Sequence, residues 1–205
     1  MLEIKSFVFG PFGTNTYVVN NGQQVLLVDP ACSNPYEEQM LYRYIEDLRL
    51  KIEDFRIIAT HGHLDHLWGA KWATEQWHTP VLMHEADIPM AQAMQQQYDL
   101  FGVRRQAEAF PIESLSKEKL SIIHYPLSII HTPGHTPGSI CLYWPEEKIL
   151  LSGDTLFQMG YGRTDLPGGN MEQLIESLEH LFTLPADTVV YPGHGAETTI
   201  GEERR

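Results

Sequence analysis

Seven residues, T-H-G-H-L-D-H at positions 60 to 66, constrain this chain more than any other stretch. His61, His63, Asp65 and His66 fall together there, directly after F-R-I-I-A, a short apolar run of strand type. Three later segments repeat the setting with one candidate ligand each. They are H-T-P-G-H-T-P-G at His135, L-L-S-G-D-T at Asp154 and Y-P-G-H-G at His194. Each follows an apolar run and is flanked by Gly or Pro, which turn the backbone sharply away and hold a side chain at a strand end. A single histidine in such a place is ordinarily a surface or hydrogen-bonded group. Seven nitrogen and oxygen donors in four such turns instead predict a metal site. With no thiolate among them, zinc, iron or manganese suits the set.

The rest of the pattern supplies the scaffold. L-E-I-K-S-F-V-F, T-N-T-Y-V-V-N and Q-V-L-L-V-D read as strands, and Asn21-Gly22 predicts a hairpin between the last two. From Pro35 to about Leu50 the apolar residues recur at helical spacing, with Pro at the front as a helix start allows. A helix from about His66 to Trp77, a strand P-V-L-M-H and a helical stretch from about Ala86 to Leu100 follow. The segment from Gly102 to Lys119 is less regular. L-S-I-I-H, S-I-C-L-Y-W and K-I-L-L-S-G read as strands, then a helix from about Met171 to Phe182 and a strand T-V-V-Y-P close the chain. Strands clustered at each end with helices interspersed predict an α+β chain of two mixed sheets packed face to face under helices.

Composition bounds the partners. A formal net charge of -13 argues against nucleic acid, whose phosphates need clustered Lys and Arg. It leaves room for an anionic substrate, because a bound metal reverses the sign locally. The N-terminus lacks a basic leader followed by a long apolar stretch, and no window approaches a membrane span, so a soluble cytoplasmic protein is expected. Cys32 and Cys141 form no C-x-x-C pair and are expected as two free thiols.

H-G-H-L-D-H, with His135, Asp154 and His194 following in that order, resembles the metallo-β-lactamase superfamily of metal-dependent hydrolases. The resemblance covers nearly the whole chain and implies one αββα domain over 1–205. It implies a first metal on His61, His63 and His135, a second on Asp65, His66 and His194, and Asp154 bridging the two. Zinc is the first expectation for this pair of divalent ions, with iron or manganese as alternatives. The stretches G-D-T-L-F-Q-M-G-Y-G-R-T-D-L-P-G-G-N and V-V-Y-P-G-H-G-A-E-T-T-I-G-E-E are similar to the short bacterial glyoxalase II-type hydroxyacylglutathione hydrolases. Asp154 stands where the commonest zinc β-lactamases carry Cys, which argues against antibiotic hydrolysis.

The activity so implied is hydrolysis of a thioester such as S-lactoylglutathione by a metal-bridging hydroxide, with Asp65 orienting the nucleophile or taking its proton. In G-Y-G-R, Arg163 is a candidate for a substrate carboxylate and Tyr161 for the pocket wall; Arg163 is equally suited to pairing with Asp165. Longer enzymes of this type add a C-terminal helical domain with further glutathione contacts, and this chain stops at E-E-R-R. Asp29, at the end of L-L-V-D-P, suits either an acceptor behind a ligand histidine or a turn before Pro30. Cys32 reads as a small buried thiol, and Trp68, Trp72 and Trp77 as core. His84, His124 and His131 lack the ligands' turn setting and read as structural. Persulfide dioxygenases, using one iron on His61, His135 and Asp154, and lactonases or esterases of the same superfamily remain as alternative activities. A non-enzymatic metal sensor would need an incomplete site, and no ligand is missing here.

Overall fold

The computed structural model describes residues 2–49, 54–115 and 126–204. Two compact units divide the chain, one formed by 1–83 with 88–114, the other by 84–87 with 115–205.

The first unit carries a six-stranded mixed sheet in the order β1-β2-β3-β4-β5-β6. Its strands are β1 (Glu3–Phe9), β2 (Thr14–Asn20), β3 (Gln24–Val28), β4 (Asp54–Ile58), β5 (Val81–Met83) and β6 (Ile112–Ser114). β1, β2 and β3 pair antiparallel, whereas β3 through β6 run parallel. The Asn21-Gly22 turn is where the sequence puts it, with Asn21 Oδ1 accepting from the N–H groups of Gln23 and Gln24. β2 and β3 are buried at every position, as central strands covered on both faces are, while edge strand β1 exposes Glu3 and Lys5. Helix α1 (Pro35–Asp47) is capped by Asn34, whose side chain accepts from the N–H groups of Tyr36 and Glu37. Leu41 and Ile45 of α1 join Val25, Leu27 and Ile57 in the unit's core.

Two helices differ from the sequence pattern. The helix expected from about His66 is α2 (Ala70–Trp77), four residues shorter at its start. The backbone through 61–69 runs in turns, and the Gly69 N–H is spent on the Pro30 carbonyl at 2.8 Å. Trp68 therefore lies in the turn and Trp72 and Trp77 on the helix, all three half-buried against the core rather than inside it. The helical stretch expected over about 86–100 is broken into a short 3₁₀ turn at Glu85–Asp87, α3 (Ile88–Gln92) and α4 (Met94–Leu100). The break falls at Ala93, which leaves helical geometry at φ -87 and ψ 25.

The second unit carries a five-stranded mixed sheet in the order β13-β12-β9-β8-β7. These are β7 (Ser128–His131), β8 (Ile140–Trp144), β9 (Ile149–Gly153), β12 (Val189–Pro192) and β13 (Thr198–Thr199). A small hairpin, β10 (Leu156–Phe157) with β11 (Gly160–Tyr161), helix α5 (Met171–Leu181) and a last turn α6 (Ile200–Glu203) complete it. β9 and β12 pair parallel and the other neighbours antiparallel. Leu174, Leu178 and Leu181 of α5 pack on Cys141, Leu150 and Val190 of the sheet. L-S-I-I-H occurs twice in the sequence; the second copy holds β7, and the first, with His124, lies outside the described residues, as does the end of the irregular segment at 116–119. Cys32 and Cys141 are both free and buried. Among the described residues no helix is long and apolar enough to cross a membrane.

Candidate metal centre

Asp29 organises the ligand loop of the first unit. It ends β3 in the left-handed region, at φ 52, a conformation that Asp tolerates better than most residues. Held there and buried, its carboxylate meets three donors. The Thr60 N–H reaches Oδ1 at 2.7 Å, and the Thr60 hydroxyl and His66 Nδ1 reach Oδ2 at 2.7 and 2.8 Å. Thr16 closes the circle by donating to the Asp29 carbonyl at 2.6 Å and accepting from Ala31 N.

This network sets which imidazole nitrogen is available. The Thr60 hydroxyl has one proton and gives it to Asp29, so at 3.1 Å from His61 Nδ1 it acts as acceptor. His61 and His66 both carry their proton on Nδ1 and present Nε2 as a lone pair, the state a metal requires. His61 is ringed by His63 and His66, at centroid distances of 4.9 and 4.1 Å. Asp65 accepts the Thr14 hydroxyl at 2.8 Å, and its Oδ2 lies 3.5 Å from His66 Nε2.

Gln97 on α4 clamps the same loop. Its amide nitrogen donates to the Gly62 carbonyl at 2.9 Å, and its oxygen accepts from Leu64 N at 2.9 Å. Two backbone groups flanking His63 are thereby satisfied by one side chain more than thirty residues away. Sequence reading passed over Gln97, Thr14 and Thr60, since their contacts with Gly62, Asp65 and Asp29 span 31 or more residues and leave no local spacing signal.

In the second unit the remaining donors stand at strand ends. His135 lies in the turn after β7, Asp154 follows β9 and His194 follows β12. His135 Nδ1 donates to the Arg163 carbonyl at 2.7 Å, which again leaves Nε2 as the lone pair. Asp154 Oδ2 is 3.5 Å from His135 Nε2 and 3.5 Å from His194 Nε2. Charge-assisted hydrogen bonds close to about 2.7–2.9 Å, so these separations are too long for direct pairing. Two donors at about 2.1 Å from one tetrahedral ion stand about 3.4 Å apart, which fits. Gly162 makes room for this arrangement: a Cβ there would lie 1.9 Å from the Asp154 carbonyl oxygen and 3.0 Å from His135 Nδ1.

The first unit thus gathers His61, His63, Asp65 and His66 on one loop, and the second gathers His135, Asp154 and His194 at its strand ends. All are imidazole or carboxylate, a donor set that suits divalent cations.

The substrate-side candidates stand otherwise. Arg163 and Asp165 form an exposed, bidentate pair at 2.6 Å for each bond, which holds the Asp165 carboxyl down at about 2. The Nε–Nη2 edge of the guanidinium is thus engaged, and the part of Arg163 that touches His135 is its carbonyl. Tyr161 is half-exposed on the β10–β11 hairpin and lines a surface groove with Leu156, Met159, Leu178 and Phe182. Burial, with Glu37 and Glu38 close by, pushes the Cys32 thiol far up, so it stays protonated. His84 and His131 stack on each other at 4.2 Å.

The family model of the metallo-β-lactamase superfamily matches residues 9–194. "Probable metallo-hydrolase YqgX" of Bacillus subtilis (strain 168) is 36% identical, over 95% of this chain and 91% of that protein. "Hydroxyacylglutathione hydrolase GloC" of Haemophilus influenzae is 35% identical, over 82% of this chain and 81% of its own length. Among solved structures, TTHA1623 in a di-iron-bound form superposes with a TM-score of 0.85 at 31% identity, covering 98% of this chain and 97% of that one. The BLEG-1 B3 metallo-β-lactamase gives 0.83 at 33% identity, over 98% and 96%. The α+β class, two mixed sheets flanked by helices, is shared with these structures. With a family model spanning most of its length and relatives above 30% identity along nearly all of it, the chain belongs to the metallo-β-lactamase superfamily.

Proposed function

We propose that this protein is a binuclear metallo-hydrolase that cleaves a thioester such as S-lactoylglutathione, with residues 1–205 acting as one cytoplasmic domain. In this reading His61, His63 and His135 hold one metal, Asp65, His66 and His194 the other, and Asp154 serves both. The observation that carries it is Asp154 Oδ2, equidistant at 3.5 Å from two imidazole nitrogens assigned to different metals. The likeness to the Haemophilus hydroxyacylglutathione hydrolase supports the substrate class. Two divalent cations, when bound, supply a water of lowered pKa and Lewis-acid polarisation of the substrate carbonyl. Asp65, oriented by Thr14, directs the nucleophile or accepts its proton. Asp29, Thr60 and the Arg163 carbonyl keep three imidazoles in the ligating tautomer.

Arg163 meets Asp165 through Nε and Nη2, so a substrate carboxylate would have to use the Nη1 side of the guanidinium. Because Asp165 already offsets its charge in an exposed pair, Arg163→Ala is expected to raise KM for S-lactoylglutathione by about threefold or less at unchanged kcat, the scale of an exposed ion pair. A tenfold rise in KM would assign Arg163 to the substrate.

The test of the function is elemental analysis of the purified protein beside assays with S-lactoylglutathione, a lactone and nitrocefin. About two metals per chain with thioester turnover supports the reading. Selective turnover of nitrocefin or of the lactone would redirect the substrate assignment, the former towards the likeness to BLEG-1. A second reading, iron-dependent dioxygenation of a persulfide on His61, His135 and Asp154, is kept by the likeness to ETHE1 from Myxococcus xanthus, 26% identical over 99% of this chain. One iron per chain, no hydrolysis and oxygen uptake with glutathione persulfide would select it.

A further inference from the structure

Asp87 is fully buried, yet it is neither a metal donor in the reading above nor a residue the sequence pattern marks. Its carboxylate faces the turn that bears His135. Oδ1 accepts from Gly138 N at 2.6 Å and Oδ2 from the Thr136 hydroxyl at 2.7 Å. Thr136 is also tied to Ser139, with their hydroxyls 2.7 Å apart and Thr136 N donating to Ser139 Oγ at 3.1 Å. The fit against Gly138 is close: a Cβ on that glycine would lie 2.7 Å from both Cγ and Oδ1 of Asp87. The second H-T-P-G thus ends in glycine because a carboxylate fills the space where a side chain would stand.

The short segment around Asp87 holds the other end of the same loop. His84 stacks on His131, with ring planes 4° apart, and His131 Nε2 donates to the Pro137 carbonyl at 2.9 Å. On its far side the loop is tied to α5, where Asn170 N donates to the Gly134 carbonyl at 2.7 Å and Ser177 Oγ to the Pro133 carbonyl at 2.7 Å. Between these two clamps His135 has little freedom beyond its own χ angles.

We propose that Asp87 is a positioning residue for metal binding: through Thr136 and Gly138 it fixes the backbone at His135, and so the place of Nε2, before any metal arrives. The inference rests on the binuclear reading, with His135 as a ligand. A charged acceptor suits this task. Hydrogen bonds to a buried carboxylate are about twice as strong as neutral ones, and a preformed ligand costs less ordering on binding.

The test is Co(II) titration of metal-free full-length protein, followed by visible absorption, with elemental analysis and the melting temperature of the metal-free form. Wild type is compared with Asp87→Ala, Asp87→Asn and Thr136→Val. Asp87→Ala is expected to remain folded, to weaken one of two sites by about 10–100-fold and to alter the Co(II) spectrum. Asp87→Asn, which keeps an oxygen for Gly138 N, should restore most of that affinity. If Asp87→Ala does not fold, Thr136→Val carries the test, with the same loss of one site expected. Two sites of wild-type affinity and an unchanged spectrum in the folded Asp87→Ala protein, or in Thr136→Val where that variant carries the test, would overturn the inference. A wild-type protein that binds no second metal would instead overturn the binuclear reading beneath it.

Discussion

Asp154→Asn is expected to abolish hydrolysis, with kcat/KM falling about a thousandfold or more, while the protein stays folded. One oxygen of this carboxylate stands 3.5 Å from both His135 Nε2 and His194 Nε2. Its replacement by a neutral amide removes the negative charge that two divalent cations would share in the proposed binuclear centre. Metal content should drop from about two per chain to about one or fewer, and with it the several kcal/mol of transition-state stabilisation that metal ions supply. The fold should not suffer. A carboxylate among imidazoles, 9% exposed, costs desolvation in the metal-free protein. The metal-free variant should therefore melt at or above the wild-type temperature. Elemental analysis, thioester kinetics and calorimetry on one preparation separate the two effects. Full metal content and near-wild-type activity would show that Asp154 is no ligand.

Asp29 predicts a contrast between two substitutions. Asp29→Ala strands the Thr60 N–H, the Thr60 hydroxyl and His66 Nδ1, all buried, and keeps a non-glycine residue at φ 52. A loss of about 3–5 kcal/mol is expected, or roughly 10–15 °C in melting temperature for a chain of this size. Asp29→Asn is predicted to fold nearly as well, since Asn tolerates the left-handed region and its oxygen can still serve Thr60 N. Its amide nitrogen then faces His66 Nδ1, which must give up its proton to accept. The proton moves to Nε2, and the ligating lone pair is lost. Metal affinity should fall about 10–100-fold with little loss of stability. NMR of the imidazole nitrogens in the metal-free protein reads the tautomer directly. An unchanged Nδ1–H tautomer in Asp29→Asn would refute the mechanism.

Much of the scaffold was legible because its signals are local. Apolar runs bounded by Gly, Pro and Asn-Gly mark strands β1 to β5, β8, β9 and β12, and Pro35 ahead of a helical apolar spacing marks the start of α1. The errors have physical causes as well. Side chains at 66–69 keep a helical apolar spacing, but the Gly69 N–H bonds to Pro30 rather than to its own helix. No periodicity can register such a partner. The stretch 86–100 is helical in composition, yet it breaks at Ala93. The hairpin at Leu156–Tyr161 was missed because two-residue strands are shorter than any alternating pattern can reveal.

The sequence by itself determined the donor inventory: seven imidazole and carboxylate groups, each placed by Gly or Pro where an apolar strand gives out. That information is written in residue type and adjacency, which short-range sterics convert directly into a side chain held at a strand end. Only the tertiary structure decided how those groups are tuned. It put a left-handed Asp29 behind His66, a Thr60 hydroxyl behind His61, the Arg163 carbonyl behind His135, and Gln97 and Asp87 against the loops that carry them. Apart from Thr60 these partners lie tens of residues from their targets, and three of the contacts use a backbone group, which every residue type possesses. Chemistry shared by all residues leaves no signature in a sequence, and is read only once the chain has folded.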